Sequence, residues 1–176
     1  DLTSADMDPY DGANMIYVAD SGNNFQWRQD LVIYALKEQI HPSHDLSLYR
    51  RYSYRFPHQS RRPPYSYKDR NRCLDSEALF WREGELFLIG KCLFSGQAPL
   101  WRLPREEWVS SSTLTLRRVG HVDIPQPSHP LHERVTAAEY HPAGKLLALL
   151  TYSSLWLYSI TGPNQSPTLG QGKRCD

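Results

Sequence analysis

Cysteine is scarce in this chain of 176 residues, with Cys73, Cys92 and Cys175 the whole supply. The count is odd and no two stand in a CxxC pair, so neither a thiolate zinc site nor a disulfide framework is indicated. Cys73 and Cys92 read as small buried hydrophobes, with a bridge between neighbouring strands as the alternative. Glycine-rich phosphate loops are absent, as is a GxSxG nucleophile elbow, so two common catalytic motifs are missing. No apolar run nears the roughly 20 residues of a spanning helix, and no charged-then-apolar leader opens the chain. Net charge is +1, too small for global electrostatics to nominate a nucleic acid or a membrane as partner. The chain begins at Asp1 rather than Met, which fits a mature form, a trimmed form or a piece of a longer protein.

What the chain does hold is repetition. Its hydrophobic share of 40% is enough for a core, and its 11 tyrosines suit pleated, half-buried strands. Three stretches follow one plan: Met15–Asn24 then Leu31–Leu36, Asp75–Lys91 then Pro99–Leu103, and Val135–Tyr152 then Leu155–Ile160. Setting Gly84 on Gly144, an offset of 60, lays Phe80 on Tyr140, Leu86 on Leu146 and Leu88 on Ala148. An offset of 70 lays Ile16-Tyr17-Val18 on Leu86-Phe87-Leu88. Self-similarity at a period of tens of residues, carried by short strands, points to a radial β-array such as a propeller.

The units run over about 1–56, 74–119 and 134–160, and together they predict an all-β domain over 1–160. In the first, Met15–Ala19 reads as the inner strand, followed by strands over Leu31–Leu36 and Leu48–Phe56. Tyr52, Tyr54 and Phe56 share one face of the last strand, and Arg51, Ser53 and Arg55 the other. The second unit offers Ala78–Trp81, Glu85–Gly90, Pro99–Leu103 and Leu114–Val119, with a single helical turn at Arg105–Trp108. The third offers Ala137–His141, Leu146–Thr151 and Leu155–Ile160, its hairpin reversing through Pro142–Lys145. Pro57–Cys73 and Pro125–Leu131 read as connectors, and 161–176 as a disordered tail. About three four-stranded blades fall short of the four to eight of a closed propeller. The expectation is an incomplete ring, from a truncated chain or fragment, or an open stack completed by oligomerisation.

The polar strand endings resemble the bacterial extracytoplasmic β-propeller proteins whose blades carry DxGDN and DxEAL motifs. The blocks that carry the likeness are Asp20-Ser21-Gly22-Asn23-Asn24 with Arg28, Asp75-Ser76-Glu77-Ala78-Leu79 ending in Lys91, and Val135-Thr136-Ala137-Ala138-Glu139 with Thr151-Tyr152. IYVADSGNN is also similar to one NHL-type repeat. The stretch from Glu77 to Leu88 resembles the metal-binding blade of gluconolactonase-type calcium propellers, and phytase-like propellers share the pattern. Asn23 replaces the acidic residue of DxGDN and removes one negative charge, and Glu139 stands where Asp is usual. The likeness implies a periplasmic or secreted module.

Each candidate residue has two readings. Asp20, Asn23 and Asn24 follow a strand, and oxygen side chains there suit Ca²⁺, while Asp and Asn around Gly22 are also ordinary turn chemistry. Asp75 and Glu77 are two apart and share a strand face. Glu77 with Lys91 reads as an ion pair tying strands, or as a carboxylate ligand or acid/base with its charge partner. Thr136, Glu139 and Thr151 hold comparable places in the third unit. If the units share an axis, Asp20, Asn24, Asp75, Glu77, Lys91, Glu139 and Thr151 form the best ligand site, with Asp20, Glu77 and Glu139 as Ca²⁺ ligands. The pairs His41/His44 and His129/His132 sit in Pro-containing connectors and make a poor metal site. Tyr49–Arg72 carries eight basic residues against Asp69, net +7, with five tyrosines interleaved. This mix suits phosphate contacts and stacking, but reads more simply as a solvated face, and nucleic acid is not the expected partner. The expected function is a non-catalytic extracytoplasmic propeller module that binds a ligand or protein at its axial face. The alternative is a Ca²⁺-dependent hydrolase of the lactonase or phytase-like type.

Overall fold

Strands form wherever the sequence alternates or runs apolar, and in three places where neither sign is strong. The computed structural model describes residues 2–5, 14–37, 48–59, 73–92, 96–109, 112–125 and 133–175. The His41/His44 and His129/His132 pairs, and the basic residues from Arg61 to Arg72, lie outside them. The strands are β1 (Leu2–Ala5), β2 (Met15–Asp20), β3 (Val32–Lys37), β4 (Leu48–Arg55), β5 (Ser76–Arg82), β6 (Glu85–Gly90) and β7 (Gln97–Leu103). They continue with β8 (Leu114–Thr115), β9 (Arg117–Asp123), β10 (Val135–His141), β11 (Leu146–Thr151), β12 (Leu155–Thr161), β13 (Thr168–Leu169) and β14 (Lys173–Cys175). The only helical element among the described residues is a 3-10 turn at Arg105–Glu107.

Three sheets result: β1-β2-β3-β4-β8, β5-β6-β7-β9, and β10-β11-β12 with β13 and β14 both pairing β12. Every pairing is antiparallel except β4 with β8. The described residues form no closed ring. Strands β1, β5 and β10 lead the three sheets, and β5 packs against both of the others. Met15–Ala19 is therefore not the innermost strand, since β1 pairs outside it from Leu2↔Val18 to Ala5↔Met15.

The second sheet is buried on both faces. Leu79, Leu86, Leu88, Trp101 and Leu103 pack with Tyr17, Ile33, Tyr52, Tyr54 and Phe56 of the first sheet. Ala78, Phe80, Phe87, Ile89 and Leu100 pack with Tyr140, Leu147, Leu149, Trp156 and Tyr158 of the third. Leu86, Phe87, Leu88 and Ile89 are each 0% exposed. At about 2 kcal/mol per side chain, these four alone contribute roughly 8 kcal/mol gross, comparable with the net stability of a whole domain. Alternation is absent from β6 because both of its faces are interior, while β4 keeps it because Arg51 and Arg55 face water.

Two straps tie the stack together. After the 3-10 turn, Trp108 is buried among Tyr17, Tyr52 and Trp81, and its carbonyl accepts from Arg50. Leu114 then joins the first sheet beside β4, so the expected strand Leu114–Val119 splits into β8 and β9. The segment after Gly162, expected to lack order, is folded. Asn164 Oδ1 accepts from Arg82 at 2.6 Å, and β13 and β14 extend the third sheet. Its backbone finds partners on the open edge of β12, which local polarity does not reveal.

Register corrects the offset of 60. In the second sheet Arg82↔Glu85 closes a hairpin through Glu83 and Gly84, and the ladder shifts between Ser76 and Ala78. In the third, His141↔Leu146 closes through 142–145, and the ladder shifts between Val135 and Ala137. The matching shifts put Trp81 on Tyr140, Leu86 on Leu147 and Leu88 on Leu149, with two extra residues in the third hairpin's turn. A slip of one residue per strand moves every side chain to the other face. Gly84 sits at φ +87, a backbone conformation that residues with a side chain rarely adopt, so the tighter turn favours glycine.

Cys73 and Cys92 are bridged, with Cα atoms 4.7 Å apart. They flank the open end of the β5–β6 hairpin, where the Lys91 N–H donates to the Asp75 carbonyl at 2.7 Å. Pairing of those ends, not burial alone, sets their role. Closing a loop of this length contributes about 3 kcal/mol. Thiol titration of the unreduced, denatured chain will therefore find one free group, Cys175. Three free groups would disprove the bridge.

Candidate functional site

The ends of β2, β6 and β11 lie together at one end of the stack, and each is followed by polar residues. After β2 the chain turns through Ser21–Asp30. Asn23 is 1% exposed. Its backbone N–H donates to Asp75 Oδ1 at 2.5 Å, and its Nδ2 donates to the Leu74 carbonyl at 2.7 Å. Its Oδ1 accepts from the Arg28 N–H at 2.9 Å. An aspartate cannot donate to Leu74, so the departure from the acidic motif position has a structural cause. Asn24 is exposed at the tip of the turn.

Asp20 is held by Arg28, whose two terminal nitrogens donate to both carboxylate oxygens at 2.7 and 2.9 Å. Arg28 also reaches Asp30 and the Gly22 carbonyl. That hydrogen bonding keeps the Asp20 carboxyl below its ordinary pKa.

Asp75 is 4% exposed. Burial pushes its carboxyl above the ordinary value, although the Asn23 N–H and Lys91 pull the other way. Glu77 sits at the ladder shift of β5, and Lys91 Nζ donates to its Oε1 at 2.6 Å. The same ammonium donates to Tyr152 Oη at 2.8 Å. Burial works against the Lys91 charge, but Glu77 and Tyr152 outweigh it and hold the ammonium above its usual range.

Tyr152 follows Thr151, so this lysine bridges the second and third sheets. Thr151 is buried and donates to Glu133 Oε2 at 2.8 Å. Glu133 also accepts from Ser153, Ser154 and Trp156 Nε1 at 2.9 to 3.0 Å. Burial opposes its charge, yet these donors set the Glu133 carboxyl below its ordinary pKa. Sequence reasoning missed Glu133 because it follows a proline-rich connector and its four donors lie between Thr151 and Trp156, at and beyond the end of β11. Only a glutamate placed before a strand hinted at it.

The structure thus brings together the Asp20 turn, Asp75, Glu77, Lys91 and Thr151, and leaves Glu139 apart. Glu139 lies mid-strand opposite Ala148, exposed on the outer face of the third sheet. Asp20, Glu77 and Glu139 are not gathered at one point. Among the described residues no three His, Cys, Asp or Glu side chains group to hold a metal. Both Asp20 oxygens are engaged by Arg28 and Glu77 by Lys91, so this donor set does not fit Ca²⁺, which takes six to eight oxygens.

Three aromatic side chains stand exposed at the same end: Phe25 at 62%, Trp27 at 44% and Tyr152 at 56%. The opposite end holds a cavity of about 520 Å³ lined by Glu85, Arg102, Arg105, Glu106, Arg117 and Gln165. There Arg102 pairs with Glu85 and Glu106, and Arg117 with Glu106 and Glu107. No family model matches the chain, and no curated protein is similar to it in sequence.

The raised Asp75 pKa fixes a sign. Its ionised form disfavours folding near neutrality, and that penalty fades as pH falls through the raised folded value. Asp75→Asn keeps an acceptor for Asn23 and removes the charge. The variant will melt above wild type at about pH 7, and the margin will close toward about pH 4. A margin that stays constant or widens on acidification would refute the assignment.

Proposed function

We propose that this chain supplies blades of a β-propeller and acts as a non-catalytic, extracytoplasmic binding module. Its axial strand ends are the contact face. Support for the blade reading comes from three sheets packed face to face, each led by a strand that meets its neighbour's leading strand. Extracytoplasmic placement is supported by the Cys73–Cys92 bridge, a bond that persists in oxidising compartments.

One observation carries the binding reading. Phe25, Trp27 and Tyr152 are exposed beside carboxylates already neutralised within the chain. Interface centres are poor in unpaired charge and rich in aromatic anchors. Asp20 with Arg28 and Glu77 with Lys91 give this face polarity without a reactive group set apart for chemistry. The partner that fits is a peptide or protein segment offering apolar side chains to the rings and hydrogen bonds to the rim.

The test is selection of peptide ligands from a displayed random library on wild-type protein, then measurement against Trp27→Ala/Tyr152→Ala. Loss of at least about tenfold in affinity is expected, since buried interface aromatics commonly contribute more than 1 kcal/mol each. Ligands indifferent to both substitutions would place recognition elsewhere. Calcium at about 1 mM, enough for weak extracellular sites, should leave the melting temperature unchanged. A rise abolished by Glu77→Gln would instead favour the Ca²⁺-dependent hydrolase.

A further inference from the structure

The cavity at the end away from the exposed rings is built around two arginines set side by side. Register places Phe87, Arg102 and Arg117 in one cross-strand row of β6, β7 and β9. Phe87 packs toward the third sheet, so both guanidiniums belong to that face. Like charges directly opposite one another on neighbouring strands destabilise a sheet unless an anion answers them. Burial sharpens the need, because the Arg102 side chain is only 4% exposed.

One carboxylate meets both arginines. Glu106, on the 3-10 turn after β7, accepts at Oε1 from Arg102 at 3.1 Å and lies 2.6 Å from Arg117. Burial works against its charge, yet its own backbone N–H and the two guanidiniums outweigh that and hold the carboxyl below its ordinary pKa. Each arginine also has a carboxylate to itself, Glu85 for Arg102 and Glu107 for Arg117. Glu106 is thus the shared anion between them. With its side chain 48% exposed, a change of rotamer carries it into water while the backbone stays in place.

The space beside this pair is larger than one glutamate fills. Its volume of about 520 Å³ falls in the range of pockets that take small organic ligands. Arg105 and Gln165 complete the wall, which carries three guanidiniums to two carboxylates. Gln165 belongs to the segment after β12, so the cavity lies between two sheets that cover one another. Guanidinium forks match the paired oxygens of a carboxylate or a phosphate.

We propose that this cavity is a site for a small oxyanion, a carboxylate or a phosphate ester, which takes the place of the Glu106 carboxylate between Arg102 and Arg117. Glu106 is then a built-in competitor that holds the site shut until a ligand displaces it. The site lies at the opposite end from Trp27 and Tyr152 and does not rest on peptide binding there.

Inorganic phosphate and succinate, each titrated calorimetrically into the whole chain at constant ionic strength, provide the test. At least one should bind saturably at a single site. Glu106→Gln should tighten that binding roughly tenfold, since a site occupied by its own side chain loses affinity in proportion to the time it is closed. Arg117→Gln, at a half-exposed position that the fold tolerates, should weaken it roughly tenfold, as loss of one charged hydrogen bond does. Arg118→Gln, opposite Trp101 on the other face of β9, should leave the affinity unchanged. Tighter binding of phosphate would identify a phosphate ester as the ligand class, and tighter binding of succinate a carboxylate. Absence of saturable binding in both wild type and Glu106→Gln would overturn the proposal. So would a Glu106→Gln chain that binds no tighter, which makes the carboxylate merely structural, or equal losses at Arg117 and Arg118, which is an effect of net charge alone. Trp27→Ala/Tyr152→Ala should not alter these titrations, so the two proposals fail separately.

Discussion

The structure depends on one constraint: the second sheet presents apolar side chains on both faces, and each face needs a cover. Phe87 and Ile89 point one way and Leu86 and Leu88 the other, and none of them touches water. A single sheet with two apolar faces is unstable alone, so the first and third sheets are obligatory partners. The straps follow from the same need. Trp108 fills the first interface from the β7–β9 connection, and Asn164 with Arg82 fastens the chain's last segment across the second.

The strand ends inherit their chemistry from that stacking. Bringing three sheets together forces three polar turns side by side, and their charges must be satisfied where they meet. Asn23 ties the first turn to Asp75, Lys91 ties Glu77 to Tyr152, and Glu133 gathers the hydroxyls of the third. The donors to Asp75, Glu77 and Glu133 all come from across an element boundary. The ion pairs thereby become part of the packing, and the exposed rings between them become the accessible chemistry of that end.

Much of this was legible in residues. The alternation of Tyr52, Tyr54 and Phe56 with Arg51, Ser53 and Arg55 placed β4 and both of its faces. Val135–Tyr152 gave a hairpin, and Glu77 with Lys91 gave a pair. What escaped has physical reasons. The offset of 60 matched glycines and so missed two added turn residues, which reversed the facing of Tyr140 and Leu147. Four-residue β1 has too little pattern to stand out. Cys73 and Cys92, read first as buried hydrophobes with a bridge as the alternative, are joined because the ends of the β5–β6 hairpin pair, and the strand pairing that decides between the two readings is not written in the cysteine spacing. Glu139 shares its motif position with true strand ends, but the ladder places it mid-strand. Glu133 draws on donors 18 to 23 residues away, and no local window contains them.

The sharpest check is native-state hydrogen exchange of the β6 amides. With both faces covered, the amides of Leu86 to Ile89 should exchange only through global unfolding, with protection that falls in step with global stability as denaturant is added. Amides of β14, on the edge of the third sheet, should exchange far faster through local fraying. Exchange of β6 by local opening, at rates like those of β14, would contradict a central sheet held between two others.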